Sequence, residues 1–108
     1  MTTLSTHVLD TERGAPAAGV SVVLYQHERQ VARSETNTDG RIPDLAGGSL
    51  EPGVYRLVFE VAAYFERRGI VDPFLDELTI AFRIAPSDAH CHVPLLLAAY
   101  ACTSYRGS

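Results

Sequence analysis

The chain has 108 residues, 46% of them apolar, and a formal net charge of −4 carried against nine arginines and no lysine. This length suits one domain, spanning residues 1–108, with one core. The acidic balance and the lack of a basic tract argue against a nucleic-acid partner. Nothing approaches the ~18 consecutive apolar residues of a membrane span, and the opening MTTLSTHVLD lacks the charged start and apolar run of a secretory signal, so a complete chain of this kind is expected to be cytoplasmic. Two cysteines, Cys91 and Cys102, are too few for a disulfide scaffold and are expected as free thiols.

Leu4–Leu9 reads as a short strand containing His7. Asp10–Gly19, with Gly14, Pro16 and Gly19, reads as a loop. Gly19–His27 is the clearest strand: Val20, Val22 and Leu24 fall on one side, Ser21, Val23 and Tyr25 on the other. The polar, Arg-rich Gln30–Thr36 fits a return strand at a sheet edge. Asn37–Arg41 (NTDGR) is a turn on its Asp-Gly pair, and Ile42–Gly53 is loop with room for one very short strand. Val54–Phe59 alternates as a strand. Val61–Arg68, closed by Gly69, has helix-forming composition and a glycine suited to a C-terminal cap. Glu77–Ile84 presents Leu78, Ile80, Phe82 and Ile84 on one face. Ala89–Leu97 and Tyr100–Arg106 are the last two strands, joined tightly near Ala98-Ala99. Seven or eight short strands and one short helix predict an all-β sandwich.

His90 and His92 are two apart, so an extended chain points both to one side. They could be metal ligands, catalytic bases or hydrogen-bonded strand residues. A zinc site wants three or four ligands; His7, Cys91, Cys102 or Asp88 could complete one only through the fold, and no second paired motif appears. There is no Gly-x-Ser-x-Gly elbow and no phosphate loop. Cys91 alternates away from its histidine neighbours and reads as a small buried hydrophobe. Arg41 follows Asp39-Gly40 directly. A turn glycine can present the next side chain at a fixed angle, and an arginine offers a rigid fork to an anion, or else it is a solvated cation beside a hairpin. Ser104–Ser108 is either tied into a site or a polar tail.

Four stretches taken together resemble a known family: Leu4–Asp10 (LSTHVLD), Thr36–Arg41 (TNTDGR), His90–Leu97 (HCHVPLLL) and the closing Tyr105–Ser108 (YRGS). The chain is similar to the 5-hydroxyisourate hydrolases, the transthyretin-related enzymes of urate degradation, over nearly its whole length, and Tyr64-Phe65 matches the family's short helix. The resemblance implies a transthyretin-like β-sandwich of two four-stranded sheets with one short helix. It implies a homotetramer, a dimer of dimers, with sites in the channel at the dimer–dimer interface and a small-molecule substrate. His7, Arg41 and His92 match the catalytic trio, and His7 and Arg41, with Tyr105, Arg106, Gly107 and Ser108, match the substrate pocket. His90 matches a common histidine of less definite role. No metal and no cofactor is implied. One of His7 and His92 would activate water while the other polarises or protonates the substrate; Arg41 would hold the anion and stabilise developing negative charge. The chain departs from the pattern at Cys91, where the family usually has an aromatic, and at Ala98-Ala99 in place of Ser-Pro. Two rival readings are a transthyretin-like carrier of a small aromatic ligand and a metal-dependent hydrolase built on His90 and His92.

Overall fold

The computed structural model describes residues 1–108 as two β-sheets packed face to face, with one helix between strands of the second sheet. The strands are β1 (Thr3–Asp10), β2 (Ala15–Pro16), β3 (Ser21–Gln26), β4 (Arg29–Glu35), β5 (Arg41–Ile42), β6 (Gly53–Glu60), β7 (Leu78–Ile84), β8 (His90–Ala98) and β9 (Ala101–Ser104); α1 covers Val61–Arg67. One sheet runs β2-β1-β8-β9, with β5 also on β1; the other runs β4-β3-β6-β7. The all-β sandwich with one short helix is as expected. The first sheet counts five strands because two two-residue pieces, β2 and β5, add themselves to the β1 edge. One of these, β2, lies inside the segment read as pure loop.

Alternation does what it predicts. Along β8, Cys91, Val93, Leu95 and Leu97 are buried, while His90 is exposed and His92 half-buried on the opposite face. Along β1, Leu4, Thr6, Val8 and Asp10 turn inward, leaving Thr3, Ser5, His7 and Leu9 outward. On the facing sheet Val22, Leu24, Leu57 and Phe59 close the same core. The polar β4 lies at an edge. Val61, Tyr64 and Phe65 of α1 are buried at helical spacing. The helix ends as its glycine suggests: Gly69 sits at φ 88°, and the amides of Gly69 and Ile70 return to the carbonyls of Glu66 and Phe65. No helix is long and apolar enough to cross a membrane.

Two features of the first sheet build the outer face. First, β1 and β8 pair in parallel along eight positions, from Thr3 opposite His90 to Asp10 opposite Leu97. Second, Pro94 interrupts the other edge of β8. The carbonyls of His92 and Pro94 face β9, so the missing Pro94 amide falls on that side, and the ladder stops at Leu95–Ser104. The chain keeps its register past the gap and touches down once more, with the Gly107 amide donating to the His92 carbonyl at 2.8 Å. At the other end of β9, the Ala99-Tyr100 turn is held by its own buried Ala99, whose amide donates to Glu12 Oε1 at 2.6 Å.

Candidate active site

His7, Arg41 and His92 come from three strands of one sheet. His7 stands opposite Arg41 on β5 and opposite Pro94 on β8; Ser5, two residues earlier on the same face, stands opposite His92. Arg41 reaches this face through its turn. Asn37 Oδ1 accepts from the amides of Asp39 (2.9 Å) and Arg41 (3.0 Å), and Gly40, at φ 73°, hands its carbonyl to the Val8 amide at 2.7 Å. A Cβ on Gly40 would stand 2.5 Å from the Val8 carbonyl, so only glycine closes this turn on β1.

The resulting depression, about 270 Å³, is lined by Ser5, Thr6, Arg41, Pro43, His90, His92 and Ser108. His92 Nδ1 lies 2.7 Å from Ser5 Oγ, which also lies 2.8 Å from His90 Nε2; His90 Nδ1 in turn lies 2.6 Å from Thr3 Oγ1. This continuous chain of hydrogen bonds leaves the Nε2 of His92 as its one ring nitrogen outside it. Burial pushes the His92 pKa below the ordinary 6.5, and the charge of Arg41, then those of His7 and His90, push it further; a backbone hydrogen bond at Ser5 opposes them. His7 is lowered by burial and then by Arg41, against the backbone and carboxylate of Asp39. Both imidazoles are therefore biased toward the neutral form that can accept a proton. None of the ion pairs in the structure engages Arg41, whose side chain is exposed.

The four-residue tail divides. Gly107 lies against His92 and Ser108 lines the depression. Tyr105 and Arg106 instead line a separate, more apolar pocket with Ile80, Phe82, Cys91 and Val93, and Arg106 donates to Asp88 Oδ1 at 3.0 Å. Within one chain the fold thus sets Arg41, His92, His90 and Ser108 around the depression, places His7 beside Arg41 on the same face but outside that lining, and leaves Tyr105 and Arg106 outside the group. Both cysteines are free thiols, Cys91 buried and pointing to the core, Cys102 exposed. No three or more His, Cys, Asp or Glu side chains are grouped to hold a metal ion. His90 and His92 are instead turned toward one serine hydroxyl.

Sequence reading missed Ser5 and Thr3. Their signal was available: they alternate with His7 on β1. What it lacked was the parallel register that sets them against His90 and His92.

A β-sandwich of this topology, with two histidines and an unpaired arginine gathered on the outer face of one sheet, is the frame of a small hydrolytic or ligand-binding protein. The chain belongs to the HIUase/Transthyretin family, which it matches over residues 4–107. It is 45% identical, over 97% of its length and 90% of the other's, to the 5-hydroxyisourate hydrolase of Pseudomonas aeruginosa. Its fold superimposes on the structure of Klebsiella pneumoniae 5-hydroxyisourate hydrolase with a TM-score of 0.92, at 39% identity and with both chains fully covered. Sea bream transthyretin, solved in complex with thyroxine, shares the fold at a TM-score of 0.88 and 27% identity, over 97% of this chain and 94% of that one.

Proposed function

We propose that this protein is an enzyme that hydrolyses 5-hydroxyisourate to 2-oxo-4-hydroxy-4-carboxy-5-ureidoimidazoline in urate degradation. One observation carries the reading: His7 and His92, both held toward neutrality, stand on one outer face with Arg41, which has no carboxylate partner and shares a small polar depression with His92. Opening the six-membered ring requires a base for water, positive charge where the carbonyl oxygen becomes negative, and a proton for the departing nitrogen.

The hydrogen-bond chain supports His92 as the base. Ser5 has one hydroxyl proton for two imidazoles, so the chain of neutral groups has two consistent polarities. In one, His92 Nδ1–H donates to Ser5, Ser5 donates to His90 Nε2, and His90 Nδ1–H donates to Thr3. Then the lone pair of His92 Nε2 is free to take a proton from water. In the reverse polarity that nitrogen carries the proton and can return it. Water activated at His92 attacks the ring carbonyl; the amide C–N bond breaks as the tetrahedral intermediate collapses, and the proton passes to the leaving nitrogen. Arg41 binds the anionic substrate and meets the developing oxyanion, while His7 polarises or protonates the substrate beside it. All the groups used belong to the chain itself, and no cofactor enters the scheme.

The assembly we propose is a homotetramer, a dimer of dimers, in which this face meets its counterpart across the dimer–dimer interface. The exposure of Arg41, His90 and Ser108 in the single chain supports that reading, since a second copy would complete the walls of an open depression. Tyr105 and Arg106 reach the pocket only through that assembly. Light scattering on the purified protein measures it directly.

The experiment is a coupled ultraviolet assay in which uricase generates 5-hydroxyisourate in place and its decay is followed with and without the protein. Acceleration is expected, with losses of about 10²-fold for His92→Ala and His7→Ala. A well-folded protein that gave no acceleration would overturn the hydrolase and favour a carrier of small aromatic ligands.

A further inference from the structure

A second cavity, about 400 Å³, lies beside β2 with no histidine in its lining; Arg13, Arg67, Arg68, Thr38 and Tyr64 line it, with Pro16 in its apolar wall. Behind this lining, bonded to its Tyr64 and Arg68, lies the buried Asp10 carboxylate, already satisfied. Oδ1 accepts from the amides of Glu12 (3.0 Å) and Arg13 (3.1 Å), and Oδ2 accepts from the Tyr64 hydroxyl (2.7 Å) and pairs with Arg68 Nε at 3.6 Å. The other two guanidinium groups have no carboxylate. Arg13 donates only to the Tyr64 hydroxyl at 3.2 Å, and Arg67 only to the Gly19 carbonyl at 2.6 Å. Three arginines thus meet one carboxylate, leaving two uncompensated positive charges around a concavity in a chain whose net charge is −4.

Each guanidinium is planar and carries five N–H donors, most of them unused here, in the fork geometry that matches a carboxylate or phosphate edge. The excess of two charges favours a dianion over a monocarboxylate. The volume exceeds what a lone phosphate needs, and the apolar wall offers contact to a small organic body. From this we infer that the Arg13–Arg67–Arg68 cavity is a binding site for a small phosphate monoester, separate from the histidine site. Because the cavity is open, binding is weak and falls with ionic strength. The inference stands independently of the hydrolase reading.

The test uses the full chain with inorganic phosphate and a simple alkyl phosphate as probes, against chloride at equal ionic strength. A saturable rise in Tm is expected with both probes, larger with the alkyl phosphate. It should persist in Arg41→Gln and disappear in Arg13→Gln/Arg67→Gln, a variant that leaves the Asp10–Tyr64 and Asp10–Arg68 contacts intact. No saturable rise in the parent protein, an equal rise in the double variant, or loss of the rise in Arg41→Gln would each overturn it, the last by placing the anion at the histidine site. Should the double variant not fold, phosphate titrations of the parent protein followed by NMR decide: signals of Arg13, Arg67 and Thr38 should move before those of Arg41 and His92, and the opposite order refutes the site.

Discussion

Gly107→Ala should disable the site from a position that carries no functional group. A Cβ at residue 107 would stand 2.4 Å from His92 Cδ2, 3.2 Å from Cγ and 3.4 Å from Cβ. Ordinary carbon–carbon contact is about 3.5–4.0 Å, so the ring or the tail must give by roughly 1 Å. If the ring retreats, its 2.7 Å hydrogen bond to Ser5 opens and Nε2 is re-aimed. If the tail lifts, the 2.8 Å bond from the Gly107 amide to the His92 carbonyl breaks and Ser108 leaves the depression. A displacement of this size at a catalytic base costs about 10²-fold in kcat. Stability falls by only about 1 kcal/mol, the value of one ordinary hydrogen bond. Gly107 has no positive φ, so the effect is contact and not backbone strain. The assay is kcat in the coupled ultraviolet measurement beside circular dichroism and Tm. A folded Gly107→Ala protein within threefold of the parent rate would refute the claim that this contact holds His92 in place.

Arg41→Gln should move the acid limb of the kcat/KM profile to higher pH, because the arginine lowers both His7 and His92; its rate loss should be about 10²-fold if the guanidinium meets the oxyanion. An unmoved limb would detach Arg41 from the base. The same shifts give stability its sign: with both histidines lowered in the fold, their contribution is present above the unfolded value of 6.5 and is lost as pH falls through it to the folded values. Thermal melts between pH 8 and 5 measure that loss. Ser5→Ala breaks the bridge between His90 and His92 and should lower kcat about tenfold, about 1.4 kcal/mol, with little change in KM; a change confined to KM would mean that Ser5 only touches substrate. Tyr64→Phe deletes a donor to the buried Asp10 and should cost about 1–3 kcal/mol, read in a urea melt, with kcat unchanged; an unaltered melt would show that Asp10 does not need that hydroxyl.

Much of this was legible in the residues themselves. Period-two alternation placed Cys91, Val93 and Leu95 inward and His92 outward, because burial on one face of a sheet enforces that pattern. Pro94 announced the break in the β8 edge through its missing amide. Asp39-Gly40 announced the turn that delivers Arg41. The parts that escaped are those that depend on partners distant in sequence. Asp10 looked like the start of a loop, yet it is buried, because Tyr64 and Arg68 arrive from α1 and its margin to satisfy it. Ser5 and Thr3 looked like strand filler until the parallel register set them beside His90 and His92, some 85 residues away. The divided tail was hidden for a different reason: His92, Asp88 and Gly107 fix its path, and only the fold shows that Tyr105 and Arg106 turn to the other side.

The parallel pairing of β1 with β8 makes the histidine face a late product of folding. Its two halves, Ser5 and His7 on one strand and His90 and His92 on the other, enclose most of the chain between them. Such long loops are costly to close before their contacts repay them, and pairings of this separation form slowly. During synthesis the first strand must wait, one edge unpaired, until β8 has left the ribosome. The β3–β4 and β6–β7 pairs, which are local, can assemble meanwhile. A nascent chain of this protein therefore builds the β3–β6 side of its core first, and completes the core and the histidine face together when β8 pairs with β1.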